Sequence, residues 1–238
     1  MGEKYVHGAL IEFMETFIGA VPNVIVFQFN PETMTHAWTQ PESAAAAAAA
    51  AGKPNPLAVK SLPGESFTFT LELDSNEMIA SGSVVAQGIA QATGVYSRLA
   101  ALEMLQYPVA TSPGLVGAVG AAAGAIGALV GGTKKVKKDV PKLQVPVVLF
   151  VWGPGRIVPV KITALSISEK LYDAFLNPIH ADVQITLKVL TLDDLDSVTG
   201  PLKEVASIAY KYSQNLRQAL AIANLAESAE SIIGMLPI

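Results

Sequence analysis

The sequence predicts an α+β fold: a β-barrel or β-sandwich core, one internal helix and a long C-terminal helix. Two segments that alternate strictly between apolar and polar residues predict the sheet. Two others, with an apolar rhythm of three to four residues, predict the helices. A third observation concerns the surface. Of 238 residues, 51% are hydrophobic and only 15% are charged, against about 25% charged in ordinary soluble domains. A chain with so few charges is expected to turn much of its surface to protein.

The strands follow in order. Val6 to Met14 reads as a short strand. Val21-Pro22-Asn23 opens a second, Val24 to Phe29, and Asn30-Pro31 ends it. The residue before proline is pushed out of helical space, and Asn-Pro favours a turn. Trp38 falls in a further extended piece. Ser66 to Leu73 is the clearest strand: Phe67, Phe69, Leu71 and Leu73 alternate with Thr68, Thr70 and Glu72, the period of a half-buried strand. Val145 to Trp152 is a near-continuous apolar strand. Gly153-Pro154-Gly155 is a tight turn, and Ile157 to Ser168 returns from it. His180 to Thr191 alternates again, with Ala181, Val183, Ile185, Leu187 and Val189 on one face.

Helix is expected from Gly94, where Val95, Leu99, Leu102 and Leu105 keep helical spacing up to Pro108. The tail is expected to be helical too. Thr199 suits its N-cap, Pro201 its first turn and Glu204 its positive end. Leu202, Val205, Ala209, Tyr212, Leu216, Ala219, Ala223 and Ala226 form a narrow, Ala-rich stripe. That stripe fits either a neighbouring protein or the chain's own sheet. The expected organisation is a β-rich domain over residues 1–196 and a helical extension over 197–238. An Ala-rich loop (43–56) and a Gly/Ala-rich insertion (112–140) interrupt the first.

The insertion contains twenty uncharged residues, 113–132, followed by Lys134-Lys135-Val136-Lys137-Lys138. On a helix, Gly117, Gly120, Gly124, Gly127 and Gly131 would form one bare stripe. Three readings stay open. Twenty residues make about 30 Å of helix, enough to cross a bilayer with glycines at a helix contact. The segment could equally pack on a neighbouring subunit or form a surface loop. Because it interrupts a β-rich domain, a single crossing would separate halves that must meet.

Composition and motifs narrow the function. A net charge of −4 argues against nucleic acid, which selects a basic face. There is no cysteine, hence no disulfide, thiolate metal site or cysteine nucleophile, as suits assembly in a reducing cytoplasm. His7, His36 and His180 stand at no metal-ligand spacing. His180-Ala181-Asp182 reads as a solvated strand edge. Gly127 and Gly132 have the separation of a phosphate loop, but Thr133 stands where its lysine belongs. Asp193-Asp194-Leu195-Asp196 lacks the glycine and terminal glutamate of a calcium loop and reads as a turn. No GxSxG occurs. No enzymatic activity, metal or cofactor is expected. A barrel that binds a small ligand ranks last, because few polar groups mark a pocket.

Several segments then resemble one family. The run Phe27-Gln28-Phe29-Asn30-Pro31-Glu32, the helix Leu99 to Pro108, the strand Val148 to Gly153 with Trp152, and the segments Val158 to Ile162 and Phe175 to Val183 occur in this order. They are similar to the contractile injection system tube protein family, the hub adaptors of phage-tail-like particles, over most of residues 6–196. The resemblance implies a tail-tube-like core and a subunit that forms a sixfold ring. Its partners would be copies of itself, the inner tube, the spike or hub, and the baseplate. The C-terminal LysM domain carried by many relatives has no counterpart here. Under this resemblance Asn30-Pro31 and Asn177-Pro178 are direction-setting turns. Phe27, Phe29, Trp38, Trp152 and Gly153 are structural or interface candidates, with both tryptophans expected in the core. The alternative is a membrane-associated anchoring subunit that uses 113–132.

Overall fold

The computed structural model describes residues 6–16, 19–41, 59, 61–81, 84–107, 109–110, 143–198 and 202–235. The alanine run 44–51, the glycine stripe 113–132, Pro108, Thr199 and Pro201 lie outside the described residues.

The chain begins with an antiparallel pair, β1 (Ala9–Thr16) and β2 (Gly19–Val26), then β3 (Met34–Thr39) and β4 (Gly64–Asp74). Three helices follow: α1 (Ser75–Ser81), α2 (Val84–Thr93) and α3 (Tyr96–Met104). Next come two short strands, β5 (Val109–Ala110) and β6 (Leu143–Gln144), then β7 (Val148–Val151), β8 (Ile157–Tyr172) and β9 (Pro178–Val189). A single-turn helix α4 (Leu192–Asp196) leads to the long α5 (Leu202–Met235). Seven strands make one antiparallel sheet in the order β2-β1-β7-β8-β9-β4-β3. Among the described residues β5 pairs with β6 alone, which places Ala110 and Leu143 side by side.

The α+β class holds, and the architecture of the sheet is more specific than expected. Among the described residues no backbone pairing joins β2 to β3, so the sheet is open and neither a closed barrel nor a two-sheet sandwich forms. It is nevertheless strongly curled. Phe27 follows β2 at one end of the strand order, yet its ring centroid lies 5.6 Å from that of Phe69 on β4 near the other end. The side-chain amide of Gln28 replaces a ladder peptide between the two ends. Its Nε2 donates to the Asp74 carbonyl at 2.7 Å, and the Asp74 N–H donates to its Oε1 at 3.1 Å. A register shift between Ile162 and Ala164 on β8 adds local twist, as bulges do.

The core lies inside the curl. Phe67, Phe69, Leu71 and Leu73 of β4 face Leu187, Ile185, Val183 and Ala181 of β9 in register, and all are buried. The alternation predicted for both strands is present, because each turns one face inward. Phe27, Phe150 and Trp152 join Phe67 and Phe69 in one aromatic cluster. The predicted helix contributes Val95, Leu99, Leu102 and Leu105 to the same core.

Helix content exceeds the single internal helix expected. Asp74 caps α1, its Oδ1 accepting from the Asn76 N–H at 2.7 Å. α2 buries only Ala90 and contains Gly88 with three β-branched residues in its first turns and a threonine at its end, a composition of weak helix propensity. The aspartate turn at 193–196 is a helical turn closed by a reciprocal capping box between Thr191 and Asp194. Strand ends shift as well. β2 stops at Val26, leaving Phe27 to Phe29 outside it, and β8 continues to Tyr172.

The buried stripe of α5 is also rotated from the one expected. Ala206, Ala209, Tyr210 and Ser213 are buried, while Val205 and Tyr212 are exposed. This face covers the chain's own sheet. Ser213 Oγ donates to the Ile157 carbonyl at 2.7 Å and accepts from the Ile157 N–H at 3.4 Å. Tyr212 Oη donates to the Pro154 carbonyl at 2.9 Å.

Candidate functional site

Two features stand out at opposite ends of β9: a recess beside α5 and an apolar hairpin tip. The recess is built on a charged clasp. Glu65, near the start of β4, has a side chain only 3% exposed. Arg217 of α5 grips it with both terminal nitrogens, Nη1 donating to Oε2 at 2.9 Å and Nη2 to Oε1. His36 Nε2 of β3 lies 2.8 Å from the same Oε1. The Arg217 guanidinium also lies 4.9 Å over the Trp38 ring, and His36 stacks on Phe67 at 4.4 Å. Arg156 covers the other face of the cluster, 5.1 Å above Phe67. Burial, then the neighbouring Arg217 charge, hold its guanidinium below the ordinary value, partly offset by Glu65. A buried carboxylate survives only when charged and hydrogen-bonded partners surround it. The clasp meets that demand and pins α5 across the β3–β4 edge.

The recess next to it has a volume of about 320 Å³. Trp38, Leu62, Pro63, Val189, Leu192 and Tyr210 supply apolar walls, and Lys211 stands at the mouth. Burial pushes the Tyr210 phenol up from its ordinary range. The polar atoms of the clasp are committed to each other, so the recess offers shape and apolar surface more than chemistry. Among the described residues no three His, Asp or Glu side chains converge to hold a metal.

The hairpin tip joins β8 to β9. Asp173 organises it: Oδ1 accepts from the Phe175 and Asn177 N–H groups, both at 2.8 Å, and Oδ2 from Asn177 Nδ2 at 2.9 Å. The Asn177 side-chain and backbone bonds hold the Asp173 carboxyl below the usual carboxylate range. Asn177 Nδ2 also donates to the Ala92 carbonyl at 3.2 Å, and the Val95 N–H to the Pro178 carbonyl at 2.9 Å. The tip is thereby fixed to the α2–α3 corner. Gly94 makes that corner fit: its φ is +58°, and a Cβ there would stand 2.1 Å from the Pro178 carbonyl oxygen.

The predicted site residues do not form one site. Phe27 is in the core, and Trp152 packs against it. Phe29 is exposed, and so is Trp38, at 48%. Trp38 sits on the terminal strand β3, flanked by Arg217 and by the His36 ring at 5.3 Å yet still exposed, so its expected core placement is corrected. Asn30 is a clamp: its Oδ1 accepts from the Gly8 N–H and its Nδ2 donates to the Val6 carbonyl, both at 2.9 Å. Half-buried Pro31 follows it. Gly153, at φ +68°, turns β7 into β8. Asn177 locks the hairpin tip, and Pro178 opens β9, where proline is tolerated at a strand's first position. His180 and Asp182 lie on an interior strand between β8 and β4, not on an edge. Asp182 accepts from Lys170 and lies 3.3 Å from His180 Nε2. The glycine stripe 117–131 lies outside the described residues.

Sequence reading missed Glu65, Arg217, Gln28, Gly8, Gly94 and Asp173. The Thr93-Gly94 helix end carried a readable C-cap signal. Glu65 and Arg217 are 152 residues apart, and nothing local announces their pairing. No protein-family model and no curated protein matches the chain.

Proposed function

We propose that this chain is a structural, non-catalytic subunit of a contractile injection system. In this reading copies form a sixfold ring, assembled in the cytoplasm, that joins the inner tube and spike to the baseplate of a phage-tail-like particle. Its core is tail-tube-like, and its work is to transmit geometry between layers with no covalent step. The observation that carries the reading is the motif order from Val26 to Val183 lying on a curled sheet whose two edges are unpaired among the described residues. The free backbone of β2 and β3 is a template for pairing with another chain. Head-to-tail contacts between identical subunits close into a ring when the rotation permits. Exposed Phe29 and Trp38 lie beside those edges, where a neighbour would cover them.

The anchoring alternative has weaker support. Among the described residues, which do not include 113–132, no helix is long and apolar enough to cross a membrane, so what bears on the anchor is the pair of strands that flank the segment. The β5–β6 ladder ties both ends of 111–142 together, which a single crossing by 113–132 would pull apart.

Co-expression with the inner-tube and baseplate proteins encoded beside it, followed by negative-stain imaging, tests the reading. The expected result is a ring bound at tube ends. Recovery with liposomes that disappears on deletion of 113–132, and no binding to tubes, would overturn it in favour of the anchor.

A further inference from the structure

The β8–β9 tip presents apolar side chains to solvent in a fixed conformation. Phe175 is 87% exposed, Leu176 79% and Leu171 70%. Single exposed apolar residues need no explanation, but a cluster at one point does. Nor is the cluster the by-product of a loose turn. Asp173 fastens the loop with three side-chain bonds, and its backbone bonds with Leu176 and Asn177 add two more. Leu171 and Leu176 are held at φ +55° and +65°, a region that branched side chains rarely occupy. Held strain of this kind points from conformation to use.

We propose that this tip is a knob that inserts into the α5 recess of a second copy of the chain. The occupant follows from shape, charge and distance. The recess, about 320 Å³ with walls from Trp38, Leu62, Pro63, Val189 and Leu192, has room for the Phe175 and Leu176 side chains. Charge is complementary: the tip carries the Asp173 carboxylate, kept ionised by its own hydrogen bonds, and the mouth carries Lys211. The knob cannot fill the recess of its own chain. Pro178 and Val189, at the two ends of β9, are about 35 Å apart at the rise of an extended strand. The C-terminal end of α5 runs about 25 Å beyond the recess at the rise of a helix, so it does not fold back into it while helical. A knob at one end and a hole at the other make a heterologous, head-to-tail contact. The inference rests on the ring reading and supplies one of its joints.

The test uses three variants of the full chain. Phe175→Asp with Leu176→Asp removes the knob. Aspartate tolerates the left-handed region better than leucine, so this variant is expected to fold. Asn215→Trp fills the recess from its exposed rim. Each variant alone is expected to raise the assembly midpoint in sedimentation velocity by about tenfold or more. A one-to-one mixture of the two, which restores a single joint, is expected to give heterodimers. The chain has no cysteine, so Ala174→Cys paired with Gln218→Cys reports the contact alone and should yield a disulfide only between copies. Wild-type rings that persist in both variants, without cross-linking, would overturn the knob while leaving the ring intact. A wild-type chain that is monomeric and never cross-links would sink both.

Discussion

At the scale of residues, the Glu65–Arg217 pair sets an asymmetric expectation. Arg217→Ala strands a buried carboxylate with His36 alone and should cost about 3 kcal/mol. Glu65→Gln keeps an acceptor for a guanidinium that can turn to water, and should cost about 1 kcal/mol. Urea unfolding of the two variants checks the order, and equal losses would show that the clasp is solvated. Gly94→Ala meets both a positive φ and the Pro178 carbonyl. It should cost at least about 2 kcal/mol by the same measurement. Asp173 gives a pH expectation. Its folded pKa is lowered below an unfolded value of about 3.9. Its contribution is therefore complete above that value and lost as pH falls through the folded one. Protection of the Phe175 and Asn177 amides, exchange being measured relative to the unfolded chain at the same pH, should hold near neutrality and fall only below about pH 4. Loosening near pH 6 would assign the tip's order to another group.

At the scale of elements, what the sequence disclosed follows from where each element's stabilisation resides. β4 and β9 were legible because a single buried face imposes period two on consecutive residues. α3 was legible because two of its side chains, Leu99 and Leu102, and the residues that cap it, Val95 and Leu105, enter the core at helical spacing. α2 was not, since it buries one alanine and is held by what flanks it. The end of β8 was hidden for the same reason: Leu171 and Tyr172 extend it while exposed, so no inward pattern marks them. α5 was found as a helix but its face was misassigned, because alanines, isoleucines and leucines are spread around it and docking on Ile157 and Pro154 decides the rotation. That docking predicts a contrast. Ala206 is fully buried, and Ala206→Leu should destabilise by about 1–3 kcal/mol through overpacking. Leu220 is exposed, and Leu220→Lys should change stability by less than about 0.5 kcal/mol. Thermal unfolding of the pair checks it. A large loss at Leu220 would mean that the outer face of α5 is already covered.

At the scale of the whole molecule, the sheet is curled without being closed. Side chains stitch its ends, Gln28 to the Asp74 backbone and Phe27 to Phe69, while Asn30 ties the chain after β2 to the residues that lead into β1. The barrel expected from alternating strands therefore resolves into an open sheet, because alternation reports a buried face and says nothing about which edges meet. The candidate site was less legible than the fold, since its clasp joins β4 to α5 across 152 residues and its tip is apolar where patterns lead one to expect polar residues. Among the described residues, two terminal strands, a fixed apolar knob and a recess have no partner within the chain. Native mass spectrometry of the purified full-length protein across a concentration series tests most directly whether they are joints between copies. The account predicts a transition from monomer to one closed species of six copies, with few intermediates. A monomer that persists at the highest concentration, or an open ladder of ever larger species with no preferred size, would contradict it.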